Sequence, residues 1–234
     1  MKEVVVLSGK EGTGKTSMVG SFAAVAQSKV LAEGDIGAAD LHLLLKPVIQ
    51  QEHEFWSGQK AVIDKDKCTQ CGLCQEVCRF NAINEFEDVE EPSAHIFLKP
   101  SLSYREVDTI SCEGCGFCYN ICPEGAITMK ENLSGQWFIS NTKYGPLAHA
   151  KRCFVQDNSA ILVALVKQQA KLIAKRESLD YIISDGPPGI GCPVISSLSG
   201  ADLAFLVTEP TLSGIHDLER VLGVCHHFGI PALV

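Results

Sequence analysis

Short apolar runs recur along the chain between glycine-rich and charged segments, and they predict buried strands. The first run is Val4–Leu7, and later runs lie within Lys29–Asp35, Asp180–Gly189 and Asp202–Glu209. Unbroken apolar runs of this length are typical of parallel strands that are covered on both faces. The last residues, Ile230–Val234, look like the middle of another strand, so we expect that the chain is truncated at its C-terminus.

Three segments between these runs have helical patterns. Ser17–Ala26 is rich in small residues, Asn158–Arg176 has an apolar face, and Ser213–Phe228 follows the last long run. In the second segment, helical periodicity places on one face Ile161, Leu165, Val166, Gln169, Leu172 and Ile173. Strands that alternate with helices predict an α/β fold with a mostly parallel sheet.

The middle of the chain interrupts this alternation. Glu54–Trp56 and Ala61–Ile63 predict two short strands, and Gln136–Asn141 with Tyr144–Lys151 indicates a strand pair joined by a short polar turn. We therefore expect a small α+β domain inserted into the larger one. The predicted division assigns residues 1–60 and 132–234 to the main domain and residues 61–131 to the insert.

The loop after the first strand has the pattern of a phosphate site. Residues 9–16 fit G-x-x-x-x-G-K-T, and the strand before and helix after this loop are the context that the motif requires. Lys15 would provide charge to the β- and γ-phosphates, and the Thr16 hydroxyl would ligate Mg²⁺. A chance glycine-rich turn is the alternative. The predicted nucleotide-binding residues are Gly9, Lys10, Glu11, Gly12, Thr13, Gly14, Lys15, Thr16 and Ser17.

Two aspartates stand at the ends of predicted strands. Asp35 lies at the carboxyl end of the second strand, where open α/β sheets place ligand sites. A cap at the end of the strand is the alternative for this residue. Asp185 ends a buried strand before a Gly/Pro turn, which suits a Walker B aspartate that holds Mg²⁺ through water.

Two cysteine runs carry the strongest chemical signal. Each has the spacing C-x₂-C-x₂-C-x₃-C of bacterial ferredoxins, in which the fourth cysteine ligates the other cluster. One predicted 4Fe–4S cluster is bound by Cys68, Cys71, Cys74 and Cys122. The other is bound by Cys112, Cys115, Cys118 and Cys78. Zinc is the alternative, but zinc sites usually pair two C-x-x-C hooks and need only four thiolates per ion.

Length, charge and cysteine count narrow the class of protein. The 234 residues suffice for one large domain and a small insert, and a net charge of −8 gives no reason to expect a nucleic-acid partner. No apolar run reaches the roughly 18 residues of a membrane span. An odd total of eleven cysteines argues for metal ligation in a cytoplasmic protein rather than for disulfides. The three cysteines outside the runs, Cys153, Cys192 and Cys225, are expected to be small buried apolar residues.

The phosphate loop resembles the deviant loop K-G-G-x-G-K-S/T of the MinD/Mrp/nitrogenase-iron-protein class of ATPases. The resemblance implies that Lys10 reaches across an ATP-bound homodimer to the partner's phosphates, and that Asp35 orients water within a switch I segment. Residues 185–193 are similar to the family's D-G-P-P-G-x-G-C-P turn. The chain departs from the family at Glu11, where glycine is usual, and at Glu33 and Asp40 of the switch segment. A carboxylate at Glu11 would weaken nucleotide binding.

The insert resembles a dicluster ferredoxin, with two departures. Arg79 stands where a proline often follows the fourth cysteine, and the stretch from Arg79 to Ser111 is longer than in compact ferredoxins. This stretch carries an acidic patch, which is either a solvated face or a docking site for a basic redox partner. The patch consists of Glu85, Glu87, Asp88, Glu90 and Glu91.

Together these resemblances imply a weak ATPase with ATP, Mg²⁺ and two 4Fe–4S clusters as cofactors. One function that fits is an ATP-gated electron carrier, working as a nucleotide-dependent homodimer with an unknown redox partner protein. In this function Lys10, Lys15 and Asp35 would be the catalytic residues. A second is a MinD-like positioning or regulatory ATPase with a redox-sensing or structural insert. The third is an Mrp-like cluster carrier, although two closed sites would leave none of the eight motif cysteines for transfer.

Overall fold

The computed structural model describes residues 1–87, 103–153 and 159–234, and they form two compact units. The first unit comprises Met1–Phe55 and Ser134–Val234, and the second comprises Trp56–Leu133. The strands are β1 (Lys2–Ser8), β2 (Lys29–Glu33), β3 (Val48–Ile63), β4 (Ile83–Glu87), β5 (Ser103–Val107), β6 (Ile127–Thr142), β7 (Gly145–Arg152), β8 (Tyr181–Pro188), β9 (Leu203–Leu206) and β10 (Ala232–Leu233). The helices are α1 (Lys15–Val25), α2 (Leu41–Leu45), α3 (Leu73–Glu76), α4 (Phe117–Ile121), α5 (Ser159–Arg176), α6 (Cys192–Leu198) and α7 (Leu212–His227).

An eight-stranded sheet with the order β10-β9-β1-β8-β2-β7-β6-β3 is the framework of the first unit. Its first six strands are parallel, and β6 runs antiparallel to β7. The central strand β1 is flanked by β8 and β9 and buries Val5, Val6 and Leu7 completely. The expected mostly parallel α/β fold is therefore confirmed.

Helices on both faces explain why the strand runs are apolar throughout. Successive side chains of a strand point to opposite faces. In β2, Val30 and Ala32 pack in the same cluster as α5, whereas Leu31 packs with Val19 of α1. Neither face of the strand meets water, so no polar position interrupts the run. A third cluster lies between the strands β1 and β9 and the helices α6 and α7.

The second unit contains the two cysteine runs and a small core. Its strands β4 and β5 form an antiparallel pair, and the short helices α3 and α4 each carry cysteines of one run. Its buried side chains include Ala61, Cys74, Ala82, Ile83, Val107, Cys112 and Ile127. A core this small supplies little hydrophobic stability, so bound metal groups are a natural source of the remainder.

One strand and two helices differ from the sequence-based expectations. The two short strands expected at Glu54–Trp56 and Ala61–Ile63 are one 16-residue strand, β3. Most of β3 is exposed at the end of the sheet order, so no apolar alternation marks it. The helices α2 and α6 were not predicted, because five and seven residues are too few to show a helical period. The expected pair of strands β6 and β7 is confirmed, with Thr142 opposite Gly145.

The apolar face of α5 is rotated from the expected one. Asn158, its predicted first residue, lies outside the described residues, and the helix is described from Ser159. Ile161 and Leu172 are exposed, whereas Leu162, Val163 and Ala170 are buried. Small and β-branched residues fill the narrow gap over β2, β7 and β8, so volume rather than hydrophobicity alone decides the buried face. Within the described ranges, no helix is long and apolar enough to span a bilayer.

A buried ion pair links this helix to the centre of the sheet. The Lys167 ammonium lies 2.7 Å from Oε1 of Glu3 in β1 and donates a hydrogen bond to the carbonyl of Ser199 at 2.9 Å. It also donates to the Ser197 carbonyl at the end of α6. Burial lowers the pKa of Lys167, while Glu3 opposes that shift. Three elements are thus joined by one cation, and loss of that cation would leave Glu3 buried without its nearest partner.

His149 makes the stability of the first unit dependent on pH. Its ring stacks on Phe138 and its Nε2 lies 2.8 Å from Oγ of Ser140. Burial, together with the charge of His42, lowers the pKa of His149 to about 4 from 6.5. Between these two pKa values His149 is protonated in the unfolded chain but neutral in the folded one. The free energy of unfolding therefore falls as the pH drops from about 6.5 towards 4.

We expect His149→Gln to reduce this loss, since glutamine keeps a polar partner for Ser140 without a titrating group. The measurement is the urea midpoint of the wild type and the variant by far-UV circular dichroism at several pH values between 7 and 4.5. The carboxyl groups with raised pKa values act in the opposite direction, but they are common to both proteins and cancel in the difference. Parallel pH profiles for the two proteins would contradict the assignment.

Candidate functional site

The loop between β1 and α1 has the backbone of a phosphate cradle. Gly12 and Gly14 have φ values of 79° and 94°, which residues with a Cβ rarely adopt. At Gly9 the constraint is space, because a Cβ there would lie 2.4 Å from the Cβ of Asp217 in α7. The 11-residue helix α1 begins at Lys15 with its N-terminus at the loop, so amide groups and the helix dipole both favour an anion here.

Lys15 and two aspartates meet beside this loop. The Lys15 ammonium lies 3.7 Å from Oδ2 of Asp35, and both side chains are buried. Asp185 is paired with Val6 of β1 and is completely buried. Burial raises the pKa of Asp185 to about 6, against the influence of the neighbouring Thr16 and Lys15. The pKa of Asp35 is also raised, mainly by burial, while Lys15 opposes the change.

The carboxylates of this site are incompletely satisfied. Among the described residues, neither carboxyl oxygen of Asp185 has a hydrogen-bond partner at ordinary geometry, although the Thr16 side chain is near enough to oppose the rise in its pKa. A buried carboxylate without a partner is costly, whereas a hard cation such as Mg²⁺ would satisfy oxygen ligands. The donor set of Thr16 and Asp185 therefore fits Mg²⁺ bound with a nucleotide.

Glu33 has a structural role that its position in the sequence did not predict. It is fully buried at the end of β2, directly opposite Asp185 in the strand register. Its Oε2 accepts a hydrogen bond of 2.8 Å from the backbone N–H of Leu41, the first residue of α2. Burial and the charge of Asp185 raise the pKa of Glu33 well above its usual value. Glu33 thus precedes the Asp35–Asp40 segment in the chain and holds the residue that follows it, Leu41. From the family resemblance, Glu33 was known only as a residue that differs from the usual aspartate.

Lys10 and Glu11 have different surroundings from Lys15. Lys10 forms a 2.7 Å ion pair with Glu209, which follows β9 in the same chain. Its role towards a partner's phosphates stays a prediction. Glu11 is exposed, but its charge still contributes to the raised pKa of Asp35. The expected cost of Glu11 for nucleotide binding also stays a prediction.

The eight motif cysteines line two cavities, and each cavity takes three thiols from one run and one from the other. One cavity is lined by Cys68, Cys71, Cys74 and Cys122. The other is lined by Cys112, Cys115, Cys118 and Cys78. Four thiols directed into one cavity form the donor set that a 4Fe–4S cluster needs. Within the described ranges, no three His, Cys, Asp or Glu side chains are close enough together to hold a single metal ion.

The two halves of this unit repeat the same local bonds. The N–H of Asp64 donates to the carbonyl of Ala126 at 2.7 Å, and the N–H of Asp108 donates to that of Ala82 at 2.7 Å. The amides of Ala82 and Ala126 each donate to the sulfur of the fourth cysteine in their run at 3.3 Å. These N–H···S bonds give the fourth cysteine of each run the same backbone donor. Burial raises the pKa values of Cys74 and Cys118, so cluster binding must release protons there.

The expected burial of the three remaining cysteines is only partly correct, and only part of the acidic patch lies within the described residues. Cys225 is buried as expected, but Cys192 is exposed at the start of α6 and Cys153 is half-buried. The first position of a short helix leaves its side chain outside the packed face, which explains the exposure of Cys192. In the acidic patch, Glu85 and Glu87 are exposed on β4. The other three residues, Asp88, Glu90 and Glu91, lie outside the described residues.

Comparison with known proteins gives a family match for the cysteine region and a partial match to a second protein. Residues 67–127 match the model of the 4Fe-4S dicluster domain family. A segment of the chain is 32% identical over 68 residues to the septum site-determining protein MinD of Bacillus subtilis, covering 29% of this chain and 25% of that protein. Residues 67–127 thus carry a 4Fe–4S dicluster domain, and a segment of the chain is similar in sequence to MinD.

A relative that matches nearly the whole chain is an uncharacterized protein of Methanocaldococcus jannaschii. It is 28% identical over 243 residues, which cover 99% of this chain and 76% of the relative. Among solved structures, a chain of the MinC:MinD cell division protein complex of Aquifex aeolicus aligns with 99% of this chain at 16% identity and a TM-score of 0.48. This chain covers 66% of that chain.

Removal of the Lys15 charge tests the nucleotide site. We expect Lys15→Ala to lower ATP hydrolysis by about two orders of magnitude or more, because a preorganised charge at the phosphates is lost. Iron content and visible absorbance should stay at the wild-type level. The control is Lys175→Ala on the exposed side of α5, which should hydrolyse ATP normally. Full turnover by the Lys15 variant would contradict the site.

Alkylation of free thiols tests whether the fourth cysteine of each run binds the cluster of the other run. In Cys78→Ser, the thiols of Cys112, Cys115 and Cys118 should become open to alkylation, while those of the first run stay protected by their cluster. Cys122→Ser is the matched variant and should give the reverse pattern. Peptide mass spectrometry after anaerobic labelling distinguishes the two. Exposure of Cys68, Cys71 and Cys74 in the Cys78 variant would show that each run binds its own cluster.

Proposed function

We propose that this protein is an ATP-gated electron carrier that works as a nucleotide-dependent homodimer. Two 4Fe–4S clusters would each supply a one-electron redox centre. ATP and Mg²⁺ would bind at the loop that precedes α1. The observation that carries the proposal is the pair of cavities with four thiols each, on a chain that also has a complete phosphate loop.

The charges at the phosphate loop support hydrolysis by positioning and neutralisation. Lys15 would neutralise charge on the β- and γ-phosphates, and Thr16 and Asp185 would hold Mg²⁺. Asp35 would orient the attacking water, since it lies beside Lys15 and its neighbour segment is fixed by Glu33. Entry of Mg²⁺ would favour the ionised form of Asp185, whose pKa is about 6, so binding at or below that pH would release a proton.

The closed thiol sets favour electron transfer over cluster transfer. A carrier that hands on a cluster needs thiols that let it go, as a C-x-x-C pair at a dimer interface would. Here every motif cysteine lines a cavity with three others. A cluster with four protein thiolates is held for repeated one-electron cycles rather than for release.

Chain connection gives a route by which the nucleotide could affect the clusters. The segment after Asp35 leads into α2, which Glu33 holds through the N–H of Leu41. The next element is β3, and the first cysteine run follows it. A change in the Asp35–Asp40 segment on loss of the γ-phosphate is the usual form of a P-loop switch. Lys10 would exchange its ion pair with Glu209 for phosphate contacts in the dimer.

A regulatory ATPase is the second candidate. It is favoured by the match to proteins named as septum site-determining MinD. In this function the dicluster domain would sense redox state or stabilise the insert, and ATP would control assembly. A chain with eleven free cysteines suits a reducing, cytoplasmic compartment under either function.

The first experiment is an anaerobic redox titration monitored by EPR, with and without Mg²⁺ and a non-hydrolysable ATP analogue. We expect at least one cluster potential to shift with the analogue, because linkage requires coupled sites to share free energy. The control is Lys15→Ala, in which the analogue should cause no shift. Two clusters with unmoved potentials in the wild type would favour the regulatory ATPase.

A further inference from the structure

The two cluster cavities are related by the internal repeat, but their walls differ in charge. When Cys68 is aligned with Cys112, Ala61 corresponds to Arg105 and Glu85 corresponds to Met129. Arg105 lines the cavity of Cys68, Cys71, Cys74 and Cys122. Ala61 and Met129 line the other cavity. An arginine and its partner in one half are therefore replaced by two apolar residues in the other.

Arg105 is held in place by a set of polar contacts. Its Nη1 donates to the carbonyl and to Oε1 of Gln70 at 2.7 and 2.9 Å. Its Nε donates to Oε1 of Gln75 at 3.2 Å, and its Nη2 donates to Oε2 of Glu85 at 3.0 Å. Nη2 also lies against the cysteine loop, since a Cβ at Gly72 would be 3.6 Å from it. The guanidinium is thus fixed beside the thiols of the first run.

The positive charge of Arg105 is poorly cancelled at the cavity. The Arg105 side chain is 9% exposed, whereas that of its partner Glu85 is 46% exposed. Water screens an exposed carboxylate far more than it screens a buried cation. Both cavities contain one glutamate in their walls, Glu124 in the first and Glu113 in the second. Among the described residues that line them, Arg105 is the one cation.

Among the described residues of this unit, Lys60 is the other buried cation, and it is absent from the walls of both cavities. Its ammonium donates to the carbonyl of Cys112 and acts on the neighbouring Asp108, which is an acceptor for Ser111. The charge of Lys60 thus lies at a backbone carbonyl and not in the wall of a cavity. Among the charges in the walls themselves, Arg105 makes the cavity of the first run the more positive of the two.

We propose that Arg105 sets the two clusters apart in reduction potential and gives the higher value to the cluster at Cys68, Cys71, Cys74 and Cys122. Reduction adds one negative charge to a cluster, and a buried cation in the cavity wall stabilises that charge. The first electron that enters the dicluster unit then resides on this cluster. The inference rests on the two clusters of the proposed function.

The test is an anaerobic EPR-monitored redox titration of the full chain with Arg105→Gln and Glu85→Gln. We expect Arg105→Gln to lower the higher midpoint by at least a tenfold change in the reduction equilibrium, which is ~59 mV for one electron. Glu85→Gln should raise the same midpoint, because it leaves the Arg105 charge without its carboxylate. Hyperfine-shifted cysteine β-proton NMR signals identify which cluster moves. The lower midpoint should stay in place in both variants.

Opposite shifts separate an electrostatic role from a structural one. If Arg105 only held the loop together, the two variants would admit water and move the midpoint in the same direction, or not at all. Lys60→Gln is the matched control and should leave the higher midpoint in place. If the Arg105→Gln variant loses its cluster, an upward shift of the midpoint in Glu85→Gln still tests the electrostatic role of Arg105. An unmoved midpoint in that variant, or a shift in the cluster at Cys112, Cys115, Cys118 and Cys78, would overturn the inference.

Iron and acid-labile sulfide analysis of the same samples keeps the two proposals distinct. Fewer than two clusters in the wild type would contradict the cofactor assignment, and the role of Arg105 with it. Two clusters whose midpoints ignore both variants would contradict the role of Arg105 alone.

Discussion

The ammonium of Lys15 is buried beside Asp35 and Asp185, at the edge of the parallel sheet where Glu33 is also buried. Glu33, Asp35 and Asp185 stand at or just beyond the ends of the neighbouring strands β2 and β8. Burial raises the pKa values of all three carboxyl groups, and Lys15 opposes that rise only at Asp35 and Asp185. The site is electrostatically incomplete, and a magnesium nucleotide would complete it. Much of what the first unit can do follows from this imbalance.

The dicluster unit meets a related problem in a different way. Its small core is lined by thiols, and its stability depends on groups that the thiols can bind. The internal repeat supplies the same loop, helix and N–H···S bond twice, which produces two comparable cavities. Arg105 then breaks the symmetry with one buried charge. If the two clusters differ in reduction potential, as we propose, an added electron would reside on the cluster with the higher potential.

The two units share a chemical theme. The first gathers charged side chains and the second gathers thiols, and a bound group would complete each: a metal nucleotide in the first and iron–sulfur clusters in the second. Glu33 connects this chemistry to chain geometry, because it fixes the start of α2 from the end of β2. That helix precedes the strand through which the chain continues to the first cysteine run. Gating by ATP needs such a connection, and the proposed function uses it.

The sequence by itself determined the features that depend on local pattern. Apolar runs predicted the parallel strands, and the cysteine spacing predicted the dicluster domain, because buried strands and metal loops require fixed residue types at fixed intervals. Elements too short or too exposed to leave a pattern, namely α2, α6 and the long strand β3, were set by their neighbours in the fold. Only the tertiary structure showed that Glu33 anchors α2, that Cys192 is exposed, and that Arg105 lies against the first cysteine loop. These outcomes depend on burial and on contacts between residues far apart in the chain, which no local pattern records.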